Sequence, residues 1–309
     1  MDFPQLPPTR MLERLVPPEG RVEMVLDTDT YNEIDDQFCV VYSLLAPEKL
    51  DVLAIYAAPF YNKRSDGPGD GMEKSYEEIL RLLERLDKSP EGFAFKGSTG
   101  CLPSLDEPER SPAALDLVEK AMTERDGPLY VVAIGAITNV ASAILIEPKI
   151  IERIVVVWLG GMAHEMPTAR EFNLKQDPAA SKLIFDCGVP LIHIPCQPVT
   201  THLLTVLPEM EKYVKGRGRI GDYLFEIYRE YMGEAPARSK VLWDIVTIGW
   251  LINPAWVPTD VVHAPVLTDQ LTWSRDNSRH FCRVATFVHR DGIFGDLFAR
   301  LEKRAGENG

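Results

Sequence analysis

The sequence predicts an α/β fold: one domain with a mostly parallel central sheet flanked by helices, open and Rossmann-like. Three observations carry that expectation. Short runs rich in valine and isoleucine recur along the chain, the pattern of strands buried on both faces. Segments with helical spacing alternate with them, as in successive right-handed βαβ units. The 309 residues are 45% hydrophobic and 26% charged, enough apolar matter for one large core. The formal charge of −13 argues against a nucleic-acid or anionic-membrane surface. No apolar run approaches the roughly 20 residues of a membrane span. The N-terminus lacks a basic region followed by an apolar core, so a cytoplasmic location is expected. Cys39, Cys101, Cys187, Cys196 and Cys282 are scattered without a Cys-x-x-Cys pair, and read as reduced thiols.

Residues 1–20 are proline-rich and read as an irregular arm, with residues 21–309 forming the domain. Residues 22–26 are apolar and read as the first buried strand, ending in Asp27 and Asp29. A polar turn follows, and Ile34-Asp35-Asp36 opens a helical pattern through Phe38, Val41, Leu44 and Leu45. Four aspartates thus gather at a strand's carboxyl end, where open α/β sheets bind ligands. Packed so tightly they repel one another, and burying one unpaired is costly. A hard divalent cation with oxygen ligands removes the conflict, so the stretch predicts a metal site. For Asp35 or Asp36 taken singly, helix capping is the alternative.

Residues 51–58 read as the second strand. The loop at 60–71 has three glycines but no Gly-Lys-Ser/Thr ending of a phosphate-binding loop. A helix is expected over 72–86, a short strand over 93–100 and a helix over 113–125. Residues 129–134 form an apolar strand running into Gly135-Ala136-Ile137-Thr138-Asn139; the glycine permits a sharp turn, and Thr138 or Asn139 can cap the next helix. Residues 154–159 are a buried strand ending in Gly160-Gly161. A loop reaches Asn173, a helix runs from Asp177 to Phe185, and a strand covers 189–195. Residues 208–235 are helical and charged, with Tyr223, Phe225, Tyr228 and Tyr231 spaced for packing. An apolar helix spans 241–253. Strand-rich sequence over 260–290 precedes a closing helix through Phe294, Leu297 and Leu301.

Four blocks in this order resemble the inosine–uridine nucleoside hydrolase family. The first is Asp29 with Asp35-Asp36, similar to the family's Asp-x-Asp-x-x-x-Asp-Asp but with a loop two residues longer. The second is the strand leading to Gly135-Ala136-Ile137-Thr138-Asn139. The third is Gly160-Gly161, Glu171-Phe172-Asn173 and Asp177-Pro178-Ala179-Ala180. The fourth is Trp243-Asp244 at the start of the apolar helix. A competing resemblance is confined to Leu26-Asp27-Thr28-Asp29, similar to the first motif of haloacid-dehalogenase-type phosphatases; there Tyr31 stands where Thr or Val belongs.

The resemblance to the hydrolases implies hydrolysis of an N-ribosidic bond to ribose and free base, with calcium as cofactor. It implies a calcium shell of Asp29, Asp36, Asp244 and the carbonyl of Ile134. Asp29 would be the general base, Asp35 would hold the 2′-hydroxyl, Asn173 the 3′-hydroxyl and Glu171 the 5′-hydroxyl. Asp27 would support the loop from behind. His164 stands near the position of a second asparagine in the family. Trp243 replaces a histidine that protonates the leaving base in purine-competent members; tryptophan can stack but cannot protonate. Glu33, Tyr31 and His164 are the candidates left for that proton. The partner implied is a small riboside, and the assembly a homodimer or homotetramer. Two alternatives stand beside this: a calcium- and riboside-binding homologue without catalysis, and a metal-dependent phosphatase with Asp27 as nucleophile.

Overall fold

The computed structural model describes residues 3–105 and 107–307, so Met1 and Asp2 of the expected arm and the last two residues of the chain lie outside it. Among the described residues twelve strands run in chain order: β1 (Val22–Thr28), β2 (Leu50–Ala57), β3 (Ala94–Lys96), β4 (Leu129–Ala133), β5 (Ile154–Leu159), β6 (Leu191–Ile194), β7 (Leu204–Val206), β8 (Ser239–Val241), β9 (Thr259–His263), β10 (Val266–Leu267), β11 (Trp273–Ser274) and β12 (Phe281–Ala285). Eight of them form the main sheet, in the order β3-β2-β1-β4-β5-β6-β12-β9. Every pairing in it is parallel except β12 with β9.

The strands at the centre are buried along their length. All of β4 and β5 is buried, which is why their sequences are continuous apolar runs rather than alternating ones. Helices cover both faces and define two apolar cores, one around Phe38, Tyr228 and Trp250, the other around Trp158, Phe185 and Ile144. The chain leaves β1 towards β2 on one side, and returns to β4 on the other. The ends of β1 and β4 therefore flank the point where strand order reverses, the usual crevice of such sheets.

The structure differs from the sequence reading in three places. The proline-rich arm contains a helix, Pro8–Arg14, that buries Met11, and Leu15 behind it is buried as well. Proline at the first helical turn costs nothing there, because its missing N–H would be unpaired anyway. The glycine-rich loop ends earlier than expected: helix Pro68–Arg85 already includes Gly69 and Gly71, where a Cβ on Gly71 would lie 2.0 Å from the carbonyl oxygen of Phe60. Residues 239–241 are the strand β8, paired with β7, and the apolar helix begins only at Ile245.

Candidate active site

Asp27 lies on β1, which carries it to the carboxyl edge of the sheet, and Asp29 follows directly. Helix Asp35–Leu44 then starts with Asp35 and Asp36, so two carboxylates enter from a helix N-terminus, where the helix dipole favours negative charge. Asp244 arrives from a distant part of the chain as the residue before helix Ile245–Ile252, whose eight residues are all buried. Carboxylate oxygens of Asp35, Asp36 and Asp244 lie within 4.8 Å of one another. These residues, with Asp29, Ile134, Glu171, Asn173 and Trp243, line a cavity of about 370 Å³.

Protein groups compensate the charge of the cluster only in part. Among the described residues neither oxygen of Asp29 has a hydrogen-bond partner, although the residue is fully buried. Burial, and then the charge of Asp36, pushes its carboxyl well above the usual range. Asp36 accepts from the Thr28 hydroxyl at 2.6 Å, yet burial and Asp35 push it up to about 7. Burial, followed by Asp36 and Asp35, raises Asp244 as well. Buried carboxylates without partners are rare and costly. The set fits a hard cation: several oxygens, near one another, with lone pairs unspent. The carbonyl of Ile134 accepts a 3.0 Å hydrogen bond from Asn173 Nδ2 and keeps a second lone pair.

Asp27 sits behind this set. One oxygen accepts from Asn139 Nδ2 at 2.7 Å, and the other has no partner. Burial pushes it up to about 7 against the pull of that hydrogen bond. Gly135 makes the close packing possible, since a Cβ there would meet Asp29 Cγ at 3.1 Å. Neither Thr138 nor Asn139 caps the following helix, contrary to the sequence reading. Thr138 instead donates to Asp177 at 2.8 Å, and Asn139 joins Asp27 to Ser98 and to the carbonyl of Ala57.

Asn173 Nδ2 also donates to the carbonyl of Leu159 at 2.9 Å, so both amide protons face carbonyls and Oδ1 is its remaining polar atom. Glu171 caps the short helix Phe172–Gln176, accepting from the N–H groups of Asn173 and Leu174, and from Gly161 at 2.8 Å. Burial nevertheless raises its pKa. Trp243 is half-buried at the wall, and its N–H donates to Asp35 at 3.0 Å.

The structure separates other sequence candidates from this cavity. His164 lines a neighbouring cavity with Trp273 and His263. Its ring stacks on His193 with centroids 5.0 Å apart, and the two share a 2.9 Å hydrogen bond. Tyr31 faces another surface, under the Arg64 guanidinium. Of the three candidates for the leaving-group proton, Glu33 alone lines the aspartate cavity. Lys240 was not anticipated. It is 6% exposed, pairs with Glu33, and stands 3.1 Å from Asp35. Burial works against its charge, but Asp35 and Glu33 outweigh burial and hold its pKa above the ordinary value. A lone lysine in a short polar run carries no sequence signal of that kind. Tyr228 packs edge-on against Phe38 and is buried, as its spacing suggested. All five cysteines are free. Among the described residues no helix is long and apolar enough to cross a membrane.

Known proteins similar to this chain are nucleoside hydrolases. Residues 65–294 match the family described as inosine-uridine preferring nucleoside hydrolase. That match begins after the aspartate-bearing segment at 27–36. A pyrimidine-specific ribonucleoside hydrolase RihA of Klebsiella pneumoniae (strain 342) is 29% identical over 265 residues, 75% of this chain and 79% of that protein. RihA of Citrobacter koseri is 28% identical over 250 residues, 71% of this chain and 76% of that protein. Among solved structures, a purine-preferring ribonucleoside hydrolase from Gardnerella vaginalis superposes with a TM-score of 0.75 at 21% identity, covering 92% of this chain and 99% of that one. The plant nucleoside hydrolase PpNRh1 gives 0.70 at 21% identity, covering 91% and 99%. At these identities the superpositions speak for the fold.

Proposed function

The chain belongs to the inosine-uridine preferring nucleoside hydrolase family, hydrolases of N-glycosyl bonds, and on that premise we propose that it cleaves ribonucleosides or related ribosides to ribose and free base with calcium as cofactor. The observation that supports the metal is the cluster of buried aspartates with oxygens left without partners. Asp29, Asp36, Asp244 and the Ile134 carbonyl would hold the cation. When bound, it supplies Lewis acidity and a template for vicinal hydroxyls and water.

The chain's own groups divide the remaining work. Asp29, with both oxygens unspent, takes the proton of the attacking water as general base. Asp35 accepts from the 2′-hydroxyl. Asn173, whose amide protons are spent on two carbonyls, accepts through Oδ1 from the 3′-hydroxyl. Glu171, fixed by three backbone N–H groups, accepts from the 5′-hydroxyl. Holding the sugar at several points converts binding into orientation. The negative wall favours the positive charge that develops on the sugar as the bond to the base breaks. Trp243 offers an indole face to the base but no proton, so ribosides with good leaving groups are the favoured substrates.

The test is release of reducing sugar from purine and pyrimidine ribosides and from p-nitrophenyl riboside, with calcium and after chelation. Release abolished by chelator and by Asp29→Ala supports the proposal. Turnover that persists after thorough chelation overturns the role of the metal, and phosphate release from monoesters would favour the phosphatase reading. Trp243→His should raise turnover of purine ribosides; unchanged turnover of every riboside would refute the leaving-group account.

A further inference from the structure

The cavity is rich in carboxylates, and its basic lining residues, Arg170 and Lys175, are exposed. Lys240 is different: it stands behind the wall, almost fully buried, with its ammonium between Asp35 and Glu33. Strand β8, paired with β7 at Thr205 and Lys240, fixes its backbone. Three residues on, the Trp243 N–H holds the second oxygen of Asp35. The segment 240–243 therefore addresses both oxygens of one aspartate, one by an ion pair without a hydrogen bond and the other by a backbone N–H, while Asp29, the first residue after β1, has neither oxygen hydrogen-bonded.

Glu33 belongs to the segment that separates Asp29 from Asp35. That segment is tied down elsewhere too. Asn62 donates to Asn32 at 2.6 Å, and Arg64 donates to the carbonyl of Glu33 at 3.1 Å while covering the Tyr31 ring. Lys240 is the tie that joins this loop to the aspartate cluster.

We propose that Lys240 is a positioning residue that reserves Asp35 for the sugar and keeps it out of the cation's shell. Asp35 stands with Asp36 and Asp244 in the cluster whose oxygens lie within 4.8 Å of one another, but the Lys240 charge is directed at it and at Glu33, so the cation is left to Asp29, Asp36 and Asp244. The inference rests on the proposed contact between Asp35 and the 2′-hydroxyl. It has a consequence that a merely structural lysine would not produce. Removing the ammonium takes a competing positive charge away from the cation and at the same time loosens the acceptor for the hydroxyl. Calcium binding and riboside binding should change in opposite directions.

The experiment uses the full chain with Lys240→Met, Lys240→Arg and Asp35→Asn. Calcium affinity is measured by titration calorimetry without riboside. The ratio of kcat/KM for p-nitrophenyl riboside to that for its 2′-deoxy analogue is measured with calcium saturating. For Lys240→Met, calcium should bind about three- to tenfold more tightly, while KM rises about tenfold and the ribo-to-deoxy ratio falls by a similar factor. Lys240→Arg should restore most of that ratio. Weaker calcium binding in Lys240→Met, or an unchanged ratio, would overturn the inference. Asp35→Asn separates the two levels: if it leaves the ratio intact, the contact of Asp35 with the 2′-hydroxyl is wrong. If it abolishes the ratio while Lys240→Met does not, Lys240 alone is misassigned. Should Lys240→Met fail to fold, Glu33→Gln carries the test. With one carboxylate fewer to neutralise Lys240, calcium should bind several-fold more weakly with the ribo-to-deoxy ratio retained, and unchanged calcium binding would count against the inference.

Discussion

Two buried polar clusters meet at the carboxyl edge of the sheet, and they are built on opposite terms. Around Asn139 nearly every polar atom has a partner. Its amide oxygen accepts from the Ser98 N–H and hydroxyl, and its amide nitrogen donates to Asp27 and to the carbonyl of Ala57. Asp177 beside it accepts from Thr138, Leu102 and Ala180. Around Asp29 the reverse holds: fully buried carboxylate oxygens have no donor at all. Asp27 is the border, with one oxygen satisfied and the other not. The satisfied cluster ties β1, β2 and the helix after β4 together. The unsatisfied one holds buried lone pairs that no protein donor uses, an arrangement that costs stability and is typical of functional sites.

This contrast predicts how the two clusters respond to mutation. The largest effect is expected for Asp29→Ala. Loss of the proposed general base should lower kcat by about 10³-fold, yet the metal-free protein should melt higher, because a buried charge without a partner is gone. Calorimetry in chelator checks this; a lower melting temperature would break the contrast. Asn139→Ala should do the opposite. Several buried hydrogen bonds vanish and Asp27 loses its only donor, a cost of about 3 kcal/mol, read as a fall in the urea midpoint. Calcium at a hundred times its Kd should stabilise the native protein by about 2.7 kcal/mol. Asp244→Ala should lose that gain, whereas Asn139→Ala should keep it.

An effect that appears only below neutral pH concerns the His164–His193 pair, a satisfied cluster that can titrate. His193 also contacts the carbonyl of Gly160 at 2.6 Å, and a carbonyl only accepts, so His193 donates there. Burial, then His164, holds His193 down at about 3, and burial holds His164 at about 4. For a base whose folded pKa is depressed, stability is present above the unfolded value near 6.5 and is lost as pH falls through that window. Each histidine should contribute a slope of up to about 1.4 kcal/mol per pH unit between roughly pH 6.5 and 4. His193→Gln should flatten the fall in melting temperature over that range. An equally steep fall in the variant would show that the slope arises elsewhere.

Much of this arrangement was legible in the linear chain because it depends on local chemistry. Strands buried on both faces must be continuous apolar runs, so β1, β4 and β5 announced themselves. Four aspartates in ten residues cannot be buried without a compensating charge, so the stretch at 27–36 pointed to a cation before any fold was considered. The roles of Thr138 and Asn139 were not legible. Their residue types suit a helix cap, and only the approach of Asp177, Ser98 and β2 shows that their side chains are engaged across the fold instead. Gly97 carries the same lesson: a Cβ there would stand 1.9 Å from the carbonyl of Ala57 and 2.4 Å from the amide of Asn139, a restriction set by neighbours forty residues away in either direction.

What the sequence determined by itself is the α/β order of elements, the family resemblance and the identity of the aspartates near the first strand's end. Those follow from periodicity and from charge density within a short segment. The tertiary structure decided which distant groups join them. It brought Asp244 to Asp36 across more than two hundred residues, set Lys240 against Asp35, and sent His164 and Tyr31 to other surfaces. The physical reason is that a carboxylate's behaviour depends on charges within a few ångströms, and separation along the chain does not encode separation in space.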